Sequence, residues 1–153
     1  MTDSHFELRE DIQIANANCS IDIFVHVQEG KGKLYHDWEG KHPYLAPAKL
    51  HVGFNAICAA YFRFTRASEH LKFPQDPFDW LGNGQPAAVS YEYMKPDYKA
   101  FSIQDSNTTQ HLKDQEHRFD LLVDTGGQVI PLNLAVTEID PTILNKGEGS
   151  GGG

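Results

Sequence analysis

Apolar and polar residues alternate along much of the chain, with a period of two. Ile21, Ile23, Val25 and Val27 alternate with Asp22, Phe24, His26 and Gln28, as in a strand with one face buried. Val89, Tyr91 and Tyr93 alternate with Ser90, Glu92 and Met94, and Phe119, Leu121 and Val123 with Arg118, Asp120 and Leu122. Each pattern predicts a further strand, and Phe101 with Ile103 predicts a short one. Thr125-Gly126-Gly127 reads as a tight turn into a strand over 129–139, with Ile130, Leu132, Leu134 and Val136 on one face. Pro131 has no N–H to donate to a ladder, so it belongs near an edge or a bulge.

Residues 50–64 carry mixed signals. Ala56, Ala59 and Ala60 favour a helix, whereas Val52, Phe54, Tyr61, Phe62 and Phe64 favour a strand. With neither an N-cap nor a 3.6-residue period, the segment reads as one long or bulged strand. Glu29-Gly30-Lys31-Gly32-Lys33 and Asp105-Ser106-Asn107-Thr108-Thr109 have turn chemistry. Residues 34–47 read as a long, structured loop holding Tyr35, Trp38 and Tyr44, with a short edge strand as an open alternative. Pro74, Pro77, Gly82, Gly84 and Pro86 break 73–86 into loop, with Phe78, Trp80 and Leu81 tucked into the core. The sum, about six or seven strands spaced by turns, predicts an all-β fold: an antiparallel two-sheet sandwich, immunoglobulin-like, with long aromatic loops. Residues 1–18 form an N-terminal segment, 19–146 the sandwich domain, and 147–153 a flexible Gly-rich tail.

At 153 residues the chain is one ordinary domain and needs no disulfide or metal to hold a core. Its net charge of −8, with 13 basic residues dispersed along the chain, argues against nucleic acid as a partner. The longest apolar run, 56–62, is far short of the ~20 residues a helix needs to span a bilayer, so no membrane insertion is expected. The polar first ten residues lack the apolar region of a secretory signal, which makes the cytoplasm the expected location. Cys19 and Cys58 have no metal-binding or redox spacing. Buried thiols and a single disulfide both remain open readings.

Candidate chemistry is thin. Of the eight histidines, His36 and His42 flank Asp37, with His51 further on, but no spacing places two ligands on one helix face. Asp76, Asp79 and Glu92 are scattered carboxylates without a paired acid and base. No nucleophile elbow, cysteine–histidine context or phosphate-binding glycine loop is present. The expectation is therefore a non-enzyme with no catalytic residue, metal or cofactor. The informative surface candidates are the aromatic residues in polar, Pro-rich loops, Tyr35, Trp38, Tyr44, Phe78 and Trp80, as a site for a protein or glycan ligand.

Two blocks of sequence carry a resemblance. Ser20-Ile21-Asp22-Ile23-Phe24-Val25 is similar to the opening strand of bacterial inclusion-body proteins of the PixA and AidA kind. Asp140-Pro141-Thr142-Ile143 with Asn145-Lys146-Gly147 resembles their close and that of small bacterial proteins sharing the Asp-Pro-Thr-Ile motif. The Asn- and Pro-rich segment after the first strand is missing here, and the only methionines are Met1 and Met94. The resemblance implies a compact β-sandwich that self-associates without enzymatic activity, and it supplies no catalytic residue. The leading expectation is thus a structural or interaction protein that forms a homo-oligomer. Ser20 to Val27, whose only charge is Asp22, serves as the candidate unguarded edge, the alternative being a place in the middle of its sheet, where it needs no guard. The alternative is a lectin-like ligand-binding module that uses the aromatic loops.

Overall fold

The alternating segments are strands in the computed structural model, which describes residues 6–8, 12–15, 19–44, 49–53, 55–82, 84–134 and 141–147. In chain order they are β1 (Phe6–Leu8), β2 (Ile12–Ala15), β3 (Cys19–Gln28), β4 (Lys31–Tyr35), β5 (Lys49–Val52) and β6 (Ala56–Phe64). After a 3₁₀ turn, Arg66–Ser68, come β7 (Phe78–Leu81), β8 (Val89–Met94), β9 (Ala100–Asn107), β10 (Gln115–Asp124), β11 (Val129–Pro131) and β12 (Thr142–Asn145). No helix among the described residues is long and apolar enough to cross a membrane.

The strands make two sheets. A five-stranded sheet runs β4-β3-β6-β9-β8, and a seven-stranded sheet runs β1-β2-β5-β12-β10-β11 with β7 also on β10. Arg118 of β10 pairs with both Leu81 and Thr142, so β7 and β12 lie on opposite edges of that strand. In each sheet alternate residues point to a shared core. From β6 the buried set is Ala56, Cys58, Ala60, Phe62 and Phe64, and from β10 it is Phe119, Leu121 and Val123. Phe78 of β7 joins the layers: its ring centroid lies 5.3 Å from Phe62 and 5.0 Å from Phe119. Burying each such side chain contributes roughly 1.5–3 kcal/mol, and this two-layer core holds the sheets face to face.

The all-β expectation holds, and several details differ. Pairing is not wholly antiparallel: β3–β6, β2–β5 and β5–β12 are parallel. Residues 50–64 are two strands rather than one. The chain turns at Asn55, which takes the left-handed conformation at φ 68°, and passes from β5 in one sheet to β6 in the other. The turn at 29–33 shrinks to Glu29-Gly30, at φ 55° and 76°, the two-residue geometry that suits strand twist. Lys31 onward is already β4, inside what reads as turn and loop. β7 occupies part of the expected 73–86 loop, since the prolines and glycines fall on either side of Phe78–Leu81. Asp105 and Asn107 belong to β9 and not to a turn, because both are buried and bonded toward the opposite sheet. β11 ends at Pro131, and Val136 lies outside the described residues.

The sheet also reaches beyond the expected domain limits. β1 and β2 fall within 1–18, yet β2 pairs with β5. At the other end Gly147 is buried and donates its N–H to Asp114 at 2.9 Å, so it is part of the packed structure. Residues 148–153 lie outside the described residues. Most consequential for assembly, β3 is an inner strand of the five-stranded sheet, although only part of the segment from Ser20 to Val27 is covered on both sides. β3 sits between β4 and β6, but the two ladders overlap only at Phe24 and Val25: Cys19 to Val25 pair with β6 and Phe24 to Gln28 with β4, so Ser20 to Ile23 have a strand partner on the β6 side alone.

Candidate functional site

The outward-facing residues of the five-stranded sheet include aromatic side chains that the alternation would assign to solvent. Phe24 of β3 and Tyr61 of β6 sit out of phase with the buried sets of their own strands. Together with Trp38, Arg63, Glu69 and Tyr93 they line a groove of about 750 Å³. Trp38, Tyr61 and Tyr93 are 40%, 44% and 57% exposed, so each presents ring surface to solvent. A β-bulge between Tyr91 and Tyr93 re-aims the end of β8.

Of the five charged residues that line the groove, Arg63, Glu69, Asp97 and Lys99 are held by neighbours. Arg63 donates to Asp22 at 2.8 Å, with its guanidinium 5.4 Å from the Phe24 ring centroid. The Glu69 carboxylate accepts the Trp38 indole N–H at 2.8 Å. Asp97 accepts the Lys99 backbone N–H at 3.0 Å, fixing the turn that closes one end. Lys99 Nζ donates to the carbonyls of Glu69 and Leu71 at 2.6 and 2.8 Å. With both carboxylates engaged in structural bonds, the groove's chemistry is that of an aromatic surface with fixed polar groups at its rim.

The five loop aromatics are not brought together. Trp38 lines the groove. Tyr35 is half-buried on β4, edge-on to His26 with centroids 5.6 Å apart. Tyr44 is buried and packs on His36 at 3.7 Å, Phe78 is a core residue, and Trp80 is half-buried against it at 4.7 Å. Tyr44 and Phe78 therefore have no exposed ring to offer a ligand. Phe24, Tyr61 and Tyr93, which do line the groove, escape a search confined to loops. Their one sequence signal is a large aromatic ring at a polar-phase position of a strand, as at Phe24 and Tyr61.

The other sequence candidates have structural partners. The Asp37 carboxylate accepts the backbone N–H groups of Lys41 and His42, at 2.7 to 3.1 Å, which pins the turn after Tyr35. Asp76 accepts the Tyr91 hydroxyl at 2.5 Å. Glu92 is exposed on β8, and Asp79 pairs across β7–β10 with Asp120. Among the described residues no three potential metal ligands converge, and the His51 side chain lies outside them. Cys58 is buried in β6 opposite Cys19 of β3, whose side chain is likewise outside the described residues.

A second polar cluster joins the two sheets inside the core. Asp105 of β9 accepts from Asn145 Nδ2 of β12 at 2.5 Å, and Asn145 Oδ1 lies 2.9 Å from His117 Nε2. Asn107 Nδ2 contacts the carbonyls of Val52, Gly53 and Lys146 at 2.9 to 3.0 Å. Asp105 Oδ1 is buried with no hydrogen-bond partner. Burial pushes the Asp105 carboxyl up to about 7 against the opposing pull of the Asn145 amide. Burial also lowers the His117 imidazole, against the Asn145 hydrogen bond.

The chain matches no protein-family model and no curated protein.

Proposed function

We propose that the protein is a non-enzymatic, lectin-like binding module whose ligand site is the aromatic groove on the outer face of the five-stranded sheet. One observation carries the reading: Trp38, Tyr61 and Tyr93 converge there as exposed rings with hydrogen-bonding groups at the rim. Aromatic rings offer large, rigid contact area at little entropic cost, and rim donors and acceptors fix orientation. That pairing suits a saccharide, which has an apolar C–H face and hydroxyl edges. The groove's volume falls in the usual range for small-molecule sites. Glu69 and Asp97 are committed to the indole and to a turn, which supports binding over acid–base chemistry. The finer assignments belong to the same reading: an immunoglobulin-like sandwich that works in the cytoplasm.

A glycan array followed by titration calorimetry tests this, with Trp38→Ala and Tyr93→Ala as controls. Binding that either variant abolishes supports the site. An empty array, or binding indifferent to both variants, refutes it.

A second reading is self-association, as the resemblance to inclusion-body proteins implies. The observation favouring it is the edge strand β8, which ends the five-stranded sheet with Tyr91 and Tyr93 exposed. A homo-oligomer formed there would lose mass by light scattering in Tyr93→Lys with the fold intact. A wild-type monomer at tens of micromolar would end that reading.

A further inference from the structure

In a 3₁₀ helix the side chains at i and i+3 eclipse one another. The turn Arg66–Ser68 with its C-cap Glu69 is one such turn, and it brings Arg66 and Glu69 to the same neighbour, Trp38. The Glu69 carboxylate takes the indole N–H at 2.8 Å, and the Arg66 guanidinium lies 5.3 Å from the ring centroid. Backbone bonds fix the same pair of segments: Arg66 N–H donates to the Trp38 carbonyl at 2.8 Å. Glu69 and Trp38 line the groove, while Arg66 lies over the indole ring and reaches Glu39 at 3.5 Å.

The turn is itself tied to the sheet. Ser68 is fully buried and its Oγ accepts the Val27 N–H at 2.8 Å, anchoring the turn to the end of β3. On the other side Lys99 Nζ reaches the carbonyls of Glu69 and Leu71, strapping it to the β8–β9 turn. A 40% exposed tryptophan thus has its indole N–H, one ring face and its backbone carbonyl all in contact with this turn. Surface indoles without such contacts sample several rotamers and lose that freedom when a ligand immobilises them.

We infer that Glu69 and Arg66 are positioning residues that hold Trp38 as a preformed stacking platform for the groove's ligand. This rests on the binding reading above, and it deepens that reading by assigning affinity to preorganisation of one ring.

The test uses the full chain, Glu69→Ala, Glu69→Gln and Arg66→Ala. The chain has two tryptophans, so ¹H–¹⁵N spectra give two indole signals, and Trp38→Phe assigns them. In the wild type the Trp38 indole N–H should be shifted from the free-indole position, exchange slowly and be motionally restricted. Glu69→Ala should move it to the free position with fast exchange, while Glu69→Gln, which keeps an acceptor, should retain the restriction. Arg66→Ala should increase ring motion with the N–H bond kept. Melting temperatures should stay near wild type, which separates positioning from general destabilisation.

Affinity for methyl β-D-galactopyranoside or methyl α-D-mannopyranoside, whichever the wild type binds, should fall about three- to tenfold in Glu69→Ala and recover in Glu69→Gln. A wild-type Trp38 indole already free and mobile would overturn the inference. So would a freed indole with unchanged affinity. If neither glycoside nor any array glycan binds while the indole is restrained, the saccharide reading falls and the held platform stands.

Discussion

Replacing Asp105 with Asn turns the core cluster into a measurement. Asp105 is 4% exposed, and burial raises its carboxyl from 3.8 to about 7. A carboxyl whose proton is held more tightly in the folded state favours folding at low pH. Its contribution is complete below about 3.8, declines as pH rises toward about 7, and is gone above that. At about 1.4 kcal/mol per tenfold change in proton affinity, the decline amounts to about 4 kcal/mol as an upper figure. Asn matches the protonated acid in shape. Its oxygen can accept from Asn145 Nδ2, and it carries no charge to desolvate. Asp105→Asn should therefore be within about 1 kcal/mol of wild type at pH 4.5 and more stable by about 2–4 kcal/mol at pH 8. Urea unfolding of both proteins across pH 4–8.5 provides the test. The lowered His117 contributes an opposite trend, its stabilisation being lost as pH falls, but it is common to both proteins and largely cancels in the difference. A difference that stays flat from pH 4 to 8 would refute the reasoning, because it would mean that Asp105 ionises as freely in the folded protein as in water.

The remaining predictions concern packing and turns. Leu121 and Leu132 are both fully buried, so Leu121→Ala and Leu132→Ala should each lower unfolding free energy by about 2–5 kcal/mol in urea titrations. The hairpin glycines should differ. Gly126 holds φ 101°, whereas Gly127 has open space and no left-handed strain. Gly126→Val should cost at least about 1 kcal/mol and Gly127→Val should leave the melting temperature nearly unchanged. Gly147→Ala would bring a methyl within 2.6 Å of the Leu112 carbonyl oxygen, and a drop of about 1–3 kcal/mol is expected by thermal melting. A neutral outcome there would place 147 in a free tail.

The alternation at 21–27 and 117–124 determined these strands and their buried faces, because side-chain direction in a strand follows from sequence parity; at 89–94 it marked the strand but not its face, since the bulge between Tyr91 and Tyr93 breaks the parity and leaves both tyrosines exposed. Likewise, the Thr125-Gly126-Gly127 turn was legible from its glycines. Where strands sit in a sheet is a different kind of fact. β3 reads as an unguarded edge because its neighbour across the parallel pairing, β6, comes from residues 56–64, and no local pattern announces a partner that far away. The break at Asn55 was hidden for the same reason: β5 and β6 are separated by only three residues, yet they serve different sheets. Asp105 and Asn107 looked like turn letters. Only the meeting of β9 with β12 gave them buried partners. The groove shows the division most clearly. Sequence favoured aromatic rings in loops, yet Tyr44 and Phe78 are buried, while Phe24, Tyr61 and Tyr93 come from three strands. Parity put Phe24 and Tyr61 on the outer faces of their strands, but the order β3-β6-β9-β8 made those faces one surface, and the turn at Arg66–Ser68 set Trp38 beside them.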